Sequence, residues 1–340
     1  MNKDSTGILS VLPKTPLVSI VITSYTINRL KGLCELLDSL TKQSYKNIEV
    51  IIVIEKSKEL YDKLKEYVND ACKDYLSNNL KLIFSKDELG ISAVRNLGAR
   101  HAKGDIVAFV DDDAILFPDW TENIVKAFSL SGEIVGVTGP ALPLWEDKSL
   151  SWFPKEFFWI IGCSEWKGLN STCEVEYAWG VNMAFRRFVF NKVYFRNLYT
   201  KGAHQEGKIG PVGDDRHFSL EVKRATNGKI IYNPYMKVWH KVDAYKLTSK
   251  YIRRYSFWQG YSDAMFKYVL KASHERFKSE YSALLLIISN LLPSIMRELI
   301  RDRQTAFKKL RVLMEVVAYF SIGYISFLIP GLIYVTKKLV

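Results

Sequence analysis

The sequence predicts an α/β fold in which helices cover both faces of a mostly parallel central sheet, followed by a helical, membrane-associated C-terminal region. Short runs of β-branched and aliphatic residues at 17–22, 48–54, 80–84 and 105–110 have the composition of buried strands. Segments with apolar residues at helical spacing separate these runs. Such alternation is typical of a parallel sheet, whose ligands bind at the carboxyl ends of the strands.

Each remaining element is predicted from its own pattern. Residues 1–16 form a polar leader without the apolar core of a secretory signal. Leucines at helical spacing predict the first helix at 30–40. After about residue 125 the alternation weakens. Helices are also predicted at 59–75, 92–102 and 247–277, and further strands at 133–138 and 229–233.

The positive charge of the chain is concentrated near its C-terminus. The net charge is +12, but residues 1–240 carry 31 basic and 29 acidic side chains, whereas residues 241–311 carry 15 and 6. A nearly neutral folded core argues against a nucleic-acid binder. Residues 316–335 form a charge-free stretch of 20, long enough to cross a bilayer. Basic residues beside an apolar segment indicate contact with a membrane that contains anionic lipid.

A second apolar segment, 281–296, carries no charge but is short and contains Asn290 and Pro293. The segment that follows it, 297–311, is positively charged and should stay on the cytosolic side. We therefore expect 281–296 to be a core, in-plane or re-entrant helix. The stretch at 316–335 is expected to insert into the membrane, with a dimer-forming apolar helix as the alternative.

Three consecutive carboxylates, Asp111, Asp112 and Asp113, follow the fourth predicted strand. Packing cannot stabilise them there, because buried like charges repel one another and are costly to desolvate. Carboxylates two residues apart on an extended chain can share one divalent cation and a diphosphate that the cation holds. Hard oxygen ligands suit Mg²⁺ or Mn²⁺. The competing interpretation is an exposed acidic turn before the next helix.

The acidic triplet is one of five motifs that occur in a characteristic order. The others are GISAVRNLGAR at 90–100, WGVNMAFRR at 179–187, GDDRHF at 213–218 and YNPYMKVWH at 232–240. Over about residues 17–262 this series closely resembles family 2 of the inverting glycosyltransferases. The resemblance implies the A-type nucleotide-sugar fold, a UDP- or GDP-linked sugar as donor, and Mn²⁺ or Mg²⁺ as cofactor.

The resemblance also implies roles for single residues. Asp111 and Asp113 match the DxD pattern of the family and would bind the ribose and the cation that bridges the two phosphates, with His240 near that cation. Asp215 matches the second acid of the Gly-Glu-Asp element and would be the general base that deprotonates the acceptor hydroxyl. One base and no protein nucleophile imply a single displacement with inversion. The alternatives are that the Asp214-Asp215 pair caps a helix and that His240 is purely structural.

Further residues are implied in donor and acceptor binding. After the first strand, Thr23 stands where the family usually has a proline. After the second strand, Glu55 replaces the acid that usually contacts the base. Because of these departures, the identity of the nucleotide is left open. Arg253 and Arg254 would hold the phosphate of a lipid acceptor, or snorkel from an interfacial helix. The residues implied to bind the donor are Ser24, Tyr25, Glu55, Arg95, Asp111, Asp112, Trp179, Gly180 and Asn182.

These observations predict an enzyme that transfers one sugar to polyprenyl (dolichyl) phosphate or a lipid-linked glycan at the cell membrane, with its catalytic domain facing the cytoplasm. The alternatives are a transferase with a soluble acceptor, a sugar nucleotidyltransferase and a non-catalytic membrane scaffold. An apolar tail is also compatible with a homo-oligomer. The predicted parts are a leader at 1–16, a catalytic domain at 17–245, a basic helical segment at 246–311, and an apolar helix at 312–340.

Overall fold

The structure is a computed structural model that describes residues 12–71, 79–164, 169–196, 210–269 and 287–329. The chain forms two compact units. The first is built from the described parts of 1–140, 169–196 and 214–239, and the second from those of 141–168, 197–213 and 240–340.

Eleven strands and eight helices longer than seven residues occur in the described parts of the chain. The strands are β1 (Val18–Ser24), β2 (Ile48–Glu55), β3 (Leu80–Ser85), β4 (Ile106–Asp111), β5 (Ala114–Leu116), β6 (Ile134–Thr138), β7 (Ala141–Trp145), β8 (Cys173–Val175), β9 (Asn182–Arg186), β10 (Lys229–Tyr232) and β11 (Val238–Val242). The helices are α1 (Leu30–Thr41), α2 (Lys58–Ala71), α3 (Ile91–His101), α4 (Trp120–Ser129), α5 (Asp214–Thr226), α6 (Ser249–Tyr268), α7 (Leu292–Arg301) and α8 (Arg303–Leu328).

The first unit contains an eight-stranded sheet in the order β3-β2-β1-β4-β9-β6-β10-β8. β1 pairs in parallel with β2 and β4, and the register sets Ser24 opposite Ile54 and Thr23 opposite Asp111. The carboxyl ends of these strands therefore lie side by side. β9 runs antiparallel to β4 and β6, and β8 antiparallel to β10. The predicted α/β fold with a mostly parallel sheet is confirmed.

Element boundaries agree closely with the sequence in the first half of the chain. The four predicted strands there are found as β1 to β4 with ends shifted by at most two residues. This agreement has a physical reason. Strands buried on both faces need continuous β-branched and aliphatic runs, and the residues of β1 and β2 are almost all buried. The helix predicted at 59–75 is found as α2, and residues 72–78 lie outside the described part.

The C-terminal helices depart from the predicted boundaries. α8 begins at Arg303, before the predicted start at residue 312, because the basic segment and the apolar stretch share one continuous helix capped by Asp302. The helix predicted at 247–277 is α6 as far as Tyr268, and residues 270–286 and 330–340 lie outside the described part. Within the described residues, α8 is the helix long and apolar enough to cross a membrane by length and composition.

In the second unit, α6 and α8 pack closely through two glycines. A Cβ atom added at Gly260 would lie 2.0 Å from the carbonyl oxygen of Phe320, and one at Gly323 would lie 1.9 Å from that of Phe257. Only glycine allows the two backbones this close approach. Beside this contact, Arg253 donates from Nη2 to Glu315 Oε1 at 2.9 Å.

Candidate active site

The acidic triplet lies at the carboxyl edge of the sheet, as the sequence predicts. Asp111 is the last residue of β4, and Asp112 and Asp113 form the turn into β5. The side chain of Asp111 is 35% exposed, whereas those of Asp112 and Asp113 are 11% and 7% exposed. The first turn of α1 packs closely against this acidic turn. A Cβ added at Gly32 would lie only 2.8 Å from the carbonyl oxygen of Asp112. The three carboxylates therefore face different surroundings.

Ser24 and Asp112, both predicted to bind the donor, are hydrogen-bonded to each other. Ser24 Oγ donates to Asp112 Oδ2 at 2.5 Å across the ends of β1 and β4. Burial raises the pKa of Asp112 to about 7, against the opposing effect of Arg29 and with a smaller upward contribution from Asp113. This carboxyl group stabilises the turn that carries its two neighbours.

Arg29 is a residue of this site that we did not single out from the sequence. Its Nη1 donates to Asp113 Oδ2 at 2.6 Å, and its Nε lies 3.7 Å from Asp112 Oδ1. Arg29 ends a short 3-10 turn, Ile27–Arg29, that leads directly into α1. A cation is electrostatically disfavoured at a helix N-terminus. An arginine immediately before a predicted helix therefore needs a negatively charged partner. This is the signal in the sequence that indicates carboxylates close to Arg29.

Arg95 joins the acidic triplet to the start of α5. Its Nη2 donates to Asp111 Oδ1 at 3.2 Å, and its Nη1 donates to Asp214 Oδ2 at 2.7 Å. The side chain is 7% exposed, and its guanidinium carbon lies 5.7 Å from the centre of the Phe195 ring. Burial lowers the pKa of Arg95, but the carboxylates of Asp214, Asp111 and Asp215 outweigh burial and raise it. Arg95 is thus a fixed positive charge between two acidic motifs.

Asp215 lies in the first turn of α5, and backbone donors hold both of its carboxylate oxygens. Gly180 N–H donates to Oδ2 and Arg216 N–H donates to Oδ1, each at 2.7 Å. Burial and the charge of Asp214 raise the pKa of Asp215 to about 6, although Arg95 and the two backbone donors lower it. A carboxylate with this pKa is ionised at neutral pH and is more basic than an ordinary aspartate.

The third predicted cation ligand, His240, is the middle residue of β11. The His240 ring is buried, its Nδ1 lies 3.9 Å from Cys163 Sγ, and a Cβ at Gly162 would come within 2.6 Å of its Cε1. In the first unit, one carboxylate oxygen of Asp111 lies within 4.8 Å of one carboxylate oxygen of Asp113. Two neighbouring carboxylate oxygens are hard ligands that fit Mn²⁺ or Mg²⁺.

The segment that precedes β9 was predicted to line the donor sugar. Trp179 is half-buried, with its ring centre 5.7 Å from that of Tyr232. A Cβ at Gly180 would lie 3.0 Å from Arg95 Nη2 and 3.3 Å from Asp215 Oδ2, so a small residue is required at this position. Gly180 therefore lies directly beside the proposed base.

Asn182, also implied to bind the donor, lies inside the packed core of the first unit. It is fully buried, its Oδ1 accepts from Trp120 Nε1, and its Nδ2 donates to the carbonyl oxygens of Pro140 and Met236. All three hydrogen bonds of the amide go to the protein, and these contacts favour a structural role over a donor contact. Successive residues of a strand face opposite sides of a sheet, and Asn182 faces the core.

Glu55 and Tyr25 lie at the ends of their strands as expected. Glu55 Oε2 accepts from the backbone N–H groups of Leu89 and Gly90, at 2.8 and 3.0 Å, and thus fixes the loop before α3. Tyr25 follows β1 and is half-buried. Arg253 is ion-paired with Glu315, and Arg254, the next residue of α6, is half-buried.

Comparison with known proteins identifies the class to which this fold and site belong. Residues 19–194, more than half of the chain, match the family model described as glycosyl transferase family 2. The chain belongs to glycosyl transferase family 2. This result confirms the family that the five ordered motifs predict.

The individual relatives are also glycosyltransferases. A glucosyl-dolichyl phosphate glucuronosyltransferase of Haloferax volcanii is 28% identical over 327 residues, which cover 94% of this chain and 99% of that protein. The amylovoran biosynthesis glycosyltransferase AmsB of Erwinia amylovora is 39% identical over 95 residues, 28% of this chain and 30% of that protein. Among solved structures, the mannosyltransferase PcManGT of Pyrobaculum calidifontis, in complex with GDP-Man and Mn²⁺, superposes with a TM-score of 0.57 at 17% identity over 92% of this chain and 87% of that one. This last similarity shows a shared GT-A-like fold.

Proposed function

We propose that the protein transfers a single sugar from a nucleoside-diphosphate sugar to a lipid-linked acceptor, with inversion at the anomeric carbon. The observation that carries this proposal is the double contact of Arg95 with Asp111 and Asp214. Asp111 is a proposed cation ligand, and Asp214 is the immediate neighbour of Asp215, the proposed base. A single displacement requires a leaving diphosphate and a proton acceptor at one site, and this guanidinium brings the two acidic motifs together.

The proposed role of Asp215 is to take the proton of the acceptor hydroxyl as that hydroxyl attacks the anomeric carbon. Backbone donors from Gly180 and Arg216 fix the orientation of its carboxylate. General base catalysis is most effective when the pKa of the base lies near the working pH. The pKa of about 6 therefore supports this role.

Asp111, Asp113 and His240 are the residues that, by the family resemblance, would hold the cation, and two carboxylates with one imidazole are a donor set that favours Mn²⁺. When bound, such a cation neutralises charge that develops on the departing diphosphate. Arg95 contributes a second, permanent positive charge next to Asp111. The family resemblance implies that Tyr25, which is half-buried and follows β1, packs against the base or the sugar.

Two observations support a lipid-linked acceptor at the cytosolic face of the membrane. The relative that matches nearly the whole chain is named for glucosyl-dolichyl phosphate as its substrate. The helix α8 has the length and apolar composition of a membrane segment, and its N-terminal half is basic. The proposed contact of Arg253 and Arg254 with the lipid phosphate is compatible with the 44% exposure of the Arg253 side chain.

A donor and acceptor screen with the full-length chain in detergent micelles tests this function. UDP-glucose, UDP-glucuronate and GDP-mannose, each labelled in the sugar, would be offered with Mn²⁺ and either dolichyl phosphate or glucosyl-dolichyl phosphate. We expect one donor to give label in the lipid phase together with free nucleoside diphosphate. Asp62→Asn, an exposed carboxylate on α2, is the matched control for active-site variants. Label found only in a water-soluble product would replace the lipid acceptor by a soluble one. In a separate reaction that contains UTP or GTP and a sugar 1-phosphate, release of pyrophosphate would indicate a nucleotidyltransferase.

A further inference from the structure

Asp113, one of the proposed cation ligands, already has a positively charged partner in the protein. Arg29 Nη1 lies 2.6 Å from its Oδ2, and Arg29 Nε lies 3.7 Å from Asp112 Oδ1. We propose that Arg29 competes with the divalent cation for Asp113. When cation and donor bind together, the Arg29 side chain moves away from Asp113 and its guanidinium binds the donor diphosphate. This inference rests on the proposed function and adds a positioning residue to it.

Exposure distinguishes Arg29 from the other arginine at the acidic triplet. Arg95 is 7% exposed, packs against Phe195 and also approaches the carbonyl oxygen of Gly180, so moving it would disrupt the core. Arg29 is 22% exposed and extends from a short turn at the edge of the sheet. Because its side chain is more exposed than that of Arg95, movement away from Asp113 disturbs less of the packed core.

Electrostatics gives the exchange its direction. A guanidinium and a divalent cation on one carboxylate repel each other, and the repulsion is strong because the Asp113 side chain is only 7% exposed. Away from the carboxylates, Arg29 would be left at the positive N-terminal end of α1. Without a new partner, this position is electrostatically unfavourable for the guanidinium. A diphosphate supplies that partner, because the planar guanidinium pairs bidentately with phosphate oxygens. Cation and donor should therefore bind cooperatively, and Arg29 should carry part of the coupling.

The test is the affinity of the full-length chain for Mn²⁺, measured from the electron paramagnetic resonance signal of free Mn²⁺, with and without GDP or UDP. We expect Arg29→Gln to bind Mn²⁺ alone about tenfold more tightly than the parent, the effect of removing one competing charge-assisted contact. In the same variant, GDP or UDP should increase the Mn²⁺ affinity by a smaller factor than in the parent. Lys31→Gln, an exposed change of equal charge two residues away, should bind within about twofold of the parent.

Arg29→Lys provides a second variant. It keeps the charge but lacks the planar, directional fork of the guanidinium, so its Mn²⁺ affinity should fall between those of the parent and Arg29→Gln. A purely structural role for Arg29 would weaken Mn²⁺ binding in both variants, and that result, or unchanged affinity, would overturn the proposal. If the parent bound no Mn²⁺ with either nucleotide, the cation site of the proposed function would fail together with this inference. Unchanged variants of a parent that does bind Mn²⁺ would contradict the role of Arg29 alone.

Discussion

The backbone N–H of Gly180 lies 2.7 Å from Asp215 Oδ2, so the loop before β9 directly holds the carboxylate at the start of α5. This contact joins the two motifs that the family resemblance assigns to the donor sugar and to the base. A side chain at residue 180 would crowd this contact, because a Cβ there would lie 3.3 Å from the same oxygen.

Gly180→Ala should therefore reduce turnover while the protein stays folded. The added methyl group would also lie 3.0 Å from Arg95 Nη2, and overpacking of this kind costs about 1–3 kcal/mol. We expect kcat to fall about tenfold or more, with a smaller change in donor affinity. Gly132→Ala, at an exposed turn before β6 where φ is not positive, is the matched control. Equal activity of both variants would show that the Gly180 contact does not orient the base.

The pH dependence of transfer should follow the ionisation of Asp215. A general base acts only when deprotonated, and a pKa of about 6 means that kcat/KM rises from pH 5 to pH 7 with its midpoint near 6. Asp112 has a raised pKa of about 7, so Asp112→Asn is the informative control and should keep the same midpoint. Constant kcat/KM down to pH 5 would be incompatible with a base of raised pKa.

Asp113→Ala should abolish the Mn²⁺-dependent part of donor binding. The carboxylate supplies one of the three proposed cation ligands, and without it the proposed ligand set is incomplete. Titration calorimetry with GDP or UDP, in Mn²⁺ and in EDTA, measures this difference. In the parent we expect EDTA to weaken nucleotide binding, and in the variant to have little effect. A variant that still responds to Mn²⁺ like the parent would remove Asp113 from the cation site.

The outward-facing apolar side chains of α8 should determine membrane attachment. Val317 and Ile325 are 53% and 46% exposed and lie eight residues apart on one face of the helix. Replacing both by lysine should shift the protein from the membrane pellet to the supernatant, because each buried lysine costs about 2.5–3.5 kcal/mol in a bilayer. The control places two lysines on the exposed face of α2, at Glu66 and Asp70. Sedimentation of both variants with membranes would argue against α8 as the attachment site.

The sheet and its acidic edge could be predicted from the sequence because both depend on local patterns. Buried parallel strands need continuous apolar runs, and carboxylates that follow such a run must lie at its end. The contacts of the arginines could not be predicted in this way. Arg29 and Asp113 are 84 positions apart, and Arg95 and Asp214 are 119 positions apart. Such pairs depend on tertiary geometry that no spacing in the sequence encodes.

Asn182 illustrates a second difficulty. The family resemblance implies a donor contact for it, whereas its amide connects Trp120, Pro140 and Met236 inside the core. A polar residue at the start of a buried strand has two interpretations, a ligand contact or a satisfied core hydrogen bond. Only the positions of its partners distinguish them.

The most direct test of the account compares the parent with Asp215→Asn in the same detergent preparation, using the donor and lipid acceptor that the screen identifies. The variant keeps the size of the side chain and removes the base. We predict that turnover falls by about 10²–10⁴, that the affinity for GDP or UDP with Mn²⁺ changes less than about threefold, and that Asp62→Asn behaves like the parent. Turnover of Asp215→Asn within tenfold of the parent would contradict the assignment of the general base.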